Sequence, residues 1–203
     1  MSIRSRRTDR PCASGSRGIT SNDILSPKKR MTKFISNREI YEQVVRDRVP
    51  QARHRLWIAT ADIKDMYVDA GGREMIPFLE VLSDLVVKGV EIRLIHAKEP
   101  GPNFREDFDR YPRLFKQMER VLCPRVHFKC IVVDGTFAWF GSANLTGAGM
   151  GAKSPNKRNF ENGVVTDDPA LIEPQESQFD AVWRGDLCKD CGRKDFCGDP
   201  IVE

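Results

Sequence analysis

Two short apolar runs separated by a helical stretch constrain this chain more than any other feature. Residues 55–60, RLWIAT, and residues 90–97, VEIRLIHA, both read as buried strands, and residues 75–88 between them carry a helical pattern closed by Gly89. A strand, a helix and a second strand in that order predict a parallel pair with a right-handed crossover. The C-terminal ends of both strands then lie on one edge of a sheet, where ligands of open α/β sheets tend to bind. The predicted fold class is α/β.

The remaining elements follow from local signals. Ser36 and Glu39 form an S-x-x-E capping box ahead of Ile40, Tyr41, Val44 and Val45, which predicts a helix over 37–48 that stops before Pro50. Residues 104–120 read as helical with a break near Pro112. A strand is predicted over 126–133, a hairpin turn at Asp134-Gly135 and a return strand over 137–140. Gly147, Gly149 and Gly151 then lie in a loop running to about residue 158, expected to be mobile without a ligand or neighbour. Another strand is expected over 159–166 and a last helix over 169–183, with a restart at Pro174 as an alternative, ended by Gly185.

A length of 203 residues suits one sizeable domain with a small appendage, not two catalytic domains. The hydrophobic fraction of 40% is ordinary for a globular chain, and no apolar run approaches the roughly 18–20 residues that span a bilayer. Charge is uneven beneath the total of +4: residues 1–30 hold eight Lys or Arg against Asp9 and Asp23, which leaves about −2 for the rest. With little apolar periodicity, residues 1–33 are expected to be a disordered basic tail, either a plain solvated segment or one that meets nucleic acid or anionic lipid. The opening segment lacks the apolar core of a secretory signal, so a cytoplasmic location is expected.

From His127 to Asn144 the chain reads H-x-K-x4-D-x6-G-S-x-N. Strand alternation puts His127 and Lys129 on one face and Phe128 and Cys130 on the other. These residue types suit phosphodiester chemistry: an imidazole can attack phosphorus and form a covalent phosphohistidine, while cationic and amide donors hold the anionic oxygens. Lys129 would supply an ammonium, Asn144 an amide N–H, and Ser142 an orienting or donating hydroxyl.

The whole pattern resembles the signature of the phospholipase D superfamily, which includes phospholipases, phosphatidyltransferases and endonucleases. Asn159, Glu161 and Asn162 stand where that superfamily carries an N-x-E-N-type strand, and the resemblance covers most of residues 36–185. It implies a phospholipase D-like mixed sheet flanked by helices over residues 34–185, followed by a short Cys-rich appendage over 186–203 that the superfamily does not share. It also implies that Glu161 orients the ring of His127. Asp134 belongs to the motif, but its place in an Asp-Gly turn favours a structural role over a catalytic one. A general acid for the leaving oxygen is still required, and single-motif relatives obtain a second histidine by pairing two identical protomers. A homodimer sharing its active site is therefore expected. His96, at the end of a predicted parallel strand, is the substitute within the chain, although a packing or hydrogen-bonding role suits it better; His54 is expected to be exposed.

No cofactor is expected for catalysis. Cys188, Cys191 and Cys197 form C-x2-C-x5-C, which suits a thiolate knuckle for structural zinc with Cys123 as the best fourth ligand. Reduced thiols without metal and an iron–sulfur site are the alternatives. Cys130 is expected in the core and Cys12 in the tail. Taken together, the sequence reads as a phosphodiesterase, with nucleic acid as the first substrate class, phospholipid as the second, and a catalytically inactive nucleic-acid-binding module as a third reading.

Overall fold

The computed structural model describes residues 30–71 and 74–198. Nine strands run through them: β1 (Thr32–Ser36), β2 (Arg55–Thr60), β3 (Tyr67–Gly71), β4 (Glu74–Pro77), β5 (Glu91–His96), β6 (Glu119–Leu122), β7 (Lys129–Val133), β8 (Phe137–Gly141) and β9 (Asn162–Thr166). The helices are α1 (Arg38–Ile40), α2 (Phe78–Val87), α3 (Pro102–Asp109), α4 (Pro112–Gln117) and α5 (Pro169–Trp183). Seven strands form one mixed sheet in the order β1-β9-β8-β7-β2-β5-β6, and β3 pairs with β4 in a separate ribbon.

The predicted crossover is present: β2 and β5 are parallel with Thr60 opposite His96, and α2 connects them by way of the β3–β4 ribbon. Side-chain alternation divides the core into two layers. Leu56 and Ile58 of β2 join Ile131 and Val133 of β7 on one face, under α2. Trp57 and Ala59 join Cys130 and Val132 on the other face, where Ile172 and Phe179 of α5 cover them. The Trp57 and Phe179 rings stack with centroids 4.9 Å apart. Arg55 pairs with Glu176 at 2.6 Å and ties α5 to the start of β2. Both faces of the central strands are dry, which is why they read as apolar runs.

Several boundaries depart from the sequence reading. The segment predicted as one helix over 37–48 is a single turn, α1, followed by a π-helical turn over Tyr41–Arg46 and a 3-10 turn over Val49–Gln51. Half of the capping box is realised, since the Ser36 N–H donates to Glu39 Oε2 at 3.1 Å, but Ser36 itself belongs to β1. The tail boundary at residue 33 cuts through this strand, and the expected disorder of residues 1–29 lies outside the described residues. Pro112 does break the helical stretch, starting α4 at its first position, and the stretch then turns into β6 instead of continuing to residue 120. Pro174 lies inside α5 without ending it. The glycine loop is held in place: Met150 N–H donates to Thr146 O at 2.8 Å, and Arg38 reaches the carbonyls of Gly151 and Ala152 at 3.3 Å each.

Candidate active site

Pairing registers bring the motif residues to one edge of the sheet. The C-terminal ends of β2 and β5 define that edge; β7 runs antiparallel to β2 with Ala59 opposite Cys130, so Lys129 and the preceding His127 arrive there too. Gly141 lies opposite both Lys129 and Gly163, which adds the end of β8 and the start of β9. His127, Lys129, Ser142, Asn144 and Glu161 thus share the edge predicted from the crossover.

His127 is exposed, whereas Lys129 is only 7% exposed at the start of its strand. The Lys129 ammonium lies 3.3 Å from His127 Nε2 and 3.4 Å from Nδ1. Burial pushes the Lys129 pKa below the usual lysine range, and the nearby Glu161 carboxylate opposes that shift. The result is an ammonium stripped of much of its water beside an open imidazole, ready for an anionic oxygen.

Asn144 is oriented by its carbonyl oxygen, which accepts from the backbone N–H groups of Ala61 at 3.2 Å and Asp62 at 3.3 Å. Those donors require the oxygen on that side, so the amide NH2 is left to the site; it has no hydrogen bond among the described residues. Thr60 fixes the same loop, donating to Asp62 O at 2.7 Å and accepting from Leu145 N–H at 3.0 Å. Gly149 packs so closely that a Cβ there would sit 2.6 Å from the Asn144 carbonyl, which explains the small residue after the motif.

Glu161 does not hydrogen-bond His127, contrary to the role drawn from the resemblance. Its carboxylate accepts from the Ser142 hydroxyl and, at 3.1 Å, from Asn159 Nδ2. Its backbone is clamped by Asn37, whose N–H donates to Glu161 O at 2.8 Å and whose Oδ1 accepts the Glu161 N–H at 3.1 Å. Ser142 also accepts from Asn162 N–H at 3.1 Å. Glu161 is close enough to act electrostatically on Lys129, so its place is beside the cation.

Asp134 is not brought to this cluster. It follows the far end of β7, roughly 16 Å along the strand from Lys129 at about 3.3 Å per residue. There it takes a left-handed φ of 54° and accepts the backbone N–H groups of Arg53 at 3.0 Å, His54 at 2.8 Å and Arg55 at 3.0 Å. Burial alone would raise its pKa, but those three N–H groups outweigh it and hold the carboxyl below its usual range. The Asp134 side chain is a structural clasp between the β7–β8 turn and β2.

His96 is buried, with Nδ1 2.7 Å from Lys98 O, the hydrogen-bonding role that suits its strand end. His54 is exposed. Cys130 is fully buried, with its thiol pushed up to about 12 by desolvation. Cys123, Cys188, Cys191 and Cys197 are all partly exposed and line one cavity. Asn37, Thr60, Arg125 and Arg193 escaped the sequence reading. The two arginines line a groove together with His127, Ala61 and Ala97. Only the predicted convergence of strand ends hinted at Thr60.

Comparison with known proteins gives a consistent picture of the fold. The family described as cardiolipin synthase, phospholipase D-like domain, matches residues 45–183. NucT from Helicobacter pylori superimposes with a TM-score of 0.58 at 14% identity, over 77% of this chain and 97% of that one. A phospholipase D family member, Nuc from Salmonella typhimurium, gives 0.56 at 16% identity over 77% of this chain and 95% of its own. Phosphatidylserine synthase from Haemophilus influenzae Rd KW20 gives 0.53 at 16% identity, covering 78% of this chain and 39% of the synthase. No curated protein matches the chain.

Proposed function

The chain belongs to the family of cardiolipin synthase, phospholipase D-like domains, and from that premise we propose that it is a phosphodiesterase cleaving nucleic acid through a phosphohistidine at His127. The observation that carries this reading is the pairing of an exposed imidazole with a buried ammonium 3.3 Å away, at a sheet edge that also holds Asn144 and Glu161.

In the first displacement a ring nitrogen of His127 forms a bond to phosphorus as the P–O bond to the leaving oxygen breaks. Lys129 and the Asn144 amide take the non-bridging oxygens, where negative charge must be held throughout. The leaving oxygen takes a proton from a general acid, and the same group then accepts one from the water that hydrolyses the P–N bond. His127 of a second copy across a two-fold axis is assigned to that role. Among the described residues His96 is buried and hydrogen-bonded at Nδ1, which suits it poorly to proton exchange with a leaving group.

Nucleic acid is preferred over phospholipid because the groove at His127 is lined by Arg125 and Arg193, which match a polyanionic backbone. The phospholipid reading is kept because the phosphatidylserine synthase shares the fold. No helix among the described residues is long and apolar enough to cross a membrane.

The test is to quench turnover of a phosphate-labelled oligonucleotide in acid-free denaturant and map the labelled residue. Label on His127, with activity surviving brief EDTA treatment, is the expected result. Hydrolysis of phosphatidylcholine but not of single-stranded DNA, duplex DNA or RNA would move the substrate class to lipid. Full activity in His127→Ala would end the mechanism.

A further inference from the structure

The cysteines of the C-terminal appendage take no part in the chemistry above, yet the fold gathers them. Cys188, Cys191 and Cys197 come from the segment after α5, and Cys123 from the loop after β6, 65 residues before the first of them. All four line a single cavity of about 200 Å³, otherwise walled largely by apolar groups such as Val126, Phe128, Val182 and Leu187. Four soft ligands from two distant parts of a chain on one apolar cavity is more than packing requires. Among its described residues the appendage contains only turns and one 3-10 turn over Lys194–Phe196, with too few buried side chains to hold that shape alone.

We infer that Cys123, Cys188, Cys191 and Cys197 form a four-thiolate metal centre that fastens the C-terminal appendage beside the catalytic histidine. Two occupants suit four thiolates: a single zinc ion or an iron–sulfur cluster. A tetrahedral zinc with bonds of about 2.3 Å needs its sulfurs about 3.8 Å apart. Among the described residues no group of three or more Cys, His, Asp or Glu side chains is arranged to hold a metal ion. The four cysteines surround a cavity and do not converge on one point, which favours the larger iron–sulfur core.

Cationic groups are already in place. Arg125 and Lys194 line the cavity together with the four cysteines. These groups offset the negative charge that thiolate ligation concentrates there. The centre also has a defined neighbour. Pro124, Arg125 and Val126 line both the cysteine cavity and the groove containing His127, and Arg193 lies in that groove two residues after Cys191. Metal at the four cysteines would fasten two segments to each other: the one that runs from Cys123 through Arg125 to His127, and the one between Cys191 and Cys197 that carries Arg193. This consequence for catalysis rests on the phosphodiesterase reading; the metal centre itself does not.

The test is full-length protein purified without oxygen or chelator from iron-supplemented cells, analysed for iron, zinc and acid-labile sulfide. About four iron and four sulfide per chain, with the visible absorption of thiolate-bound iron, is the expected result. About one zinc and no sulfide would keep the four-thiolate centre and overturn the cluster. Neither metal, with all four thiols freely alkylated in the folded protein, would overturn the centre. Single Cys→Ser variants at positions 123, 188, 191 and 197 should each lose most of the metal, whereas Cys12→Ser should retain it. If a variant does not fold, alkylation of the wild-type protein before and after metal removal reads the same four thiols, and their equal reactivity in both states would refute ligation. Arg193→Ala should keep its metal while KM for an oligonucleotide rises several-fold. A fully metallated protein without phosphodiesterase activity would count against the proposed function and leave the centre standing.

Discussion

Lys129 Nζ lies 3.3 Å from Nε2 and 3.4 Å from Nδ1 of His127, so the buried ammonium sits at nearly equal distance from both ring nitrogens of the exposed imidazole. His127 lies two residues before Lys129, just outside β7, and the two meet because that strand begins at this edge of the sheet. His127→Ala should lower the turnover rate by at least ~10³-fold, the scale expected for removing a covalent nucleophile.

The desolvated Lys129 gives a pH signature. Its pKa lies below the usual lysine range because burial disfavours the ammonium, so the free enzyme loses the cation earlier on the alkaline side than an ordinary lysine would. A bound phosphodiester restores the charge, so the alkaline limb of kcat/KM should fall at lower pH than that of kcat. For stability the sign is opposite. The unfolded chain binds more protons at this group than the folded one, and the cost of burying the ammonium fades as pH rises through its folded pKa. Lys129→Met should therefore abolish turnover without lowering the melting temperature at neutral pH. Coincident alkaline limbs would remove the assignment.

Asp134 should behave as a structural residue. Its side chain accepts three backbone N–H groups from the start of β2 and the residues before it, and hydrogen bonds to a charged group are each worth roughly 1.5–3 kcal/mol. Asp134→Ala also places a less tolerant residue at a φ of 54°. A loss of about 2–4 kcal/mol is expected by denaturant titration, with kcat per folded molecule unchanged. Because the folded pKa is depressed, this stabilisation is present above the unfolded value and is lost as pH falls through the folded one. Asp134→Asn, which tolerates the left-handed backbone, should lose less. A large fall in kcat with intact stability would return Asp134 to the active site.

Gly141 lets β8 and β9 approach closely enough for Ser142 to reach Glu161. A Cβ at this position would lie 2.7 Å from the Gly163 Cα and closer still to the Asn162 carbonyl. Gly141→Ala should cost about 1–3 kcal/mol through overpacking and lower activity more than Ser142→Ala, since it displaces Ser142, Asn162 and Glu161 together. Equal activity in Gly141→Ala and wild type would contradict this.

The two-fold arrangement proposed for the general acid predicts a particle of about twice the 23.1 kDa chain mass in light scattering. Mixing inactive His127→Ala with wild type should give heterodimers whose activity falls faster than the wild-type fraction. A linear decline in a fully active monomer would show that one chain suffices.

Local chemistry alone determined a good part of this protein. The β2–α2–β5 crossover, the Asp134-Gly135 turn and the burial of Cys130 follow from apolar patterning, turn residues and the two-residue period of strands, whereas the strand expected over 126–133 begins only at Lys129 and leaves His127 before it. Other features needed partners that no local window contains. β1 and β6 are edge strands with mostly exposed side chains, TKFIS and ERVL, and become strands only because β9 and β5 offer them open hydrogen-bonding edges. Asp134 stands in the motif by spacing, yet an extended strand carries it to the opposite edge of the sheet, where the unpaired N–H groups before β2 capture it. Glu161 is turned toward Ser142 and Lys129 by the pairing of β8 with β9 and by the clamp of Asn37. Cys123 lines the same cavity as the other cysteines only because β6 ends beside the segment that follows α5. Residue types and spacing set the available chemistry, while strand order and long-range hydrogen bonds determined which groups stand together.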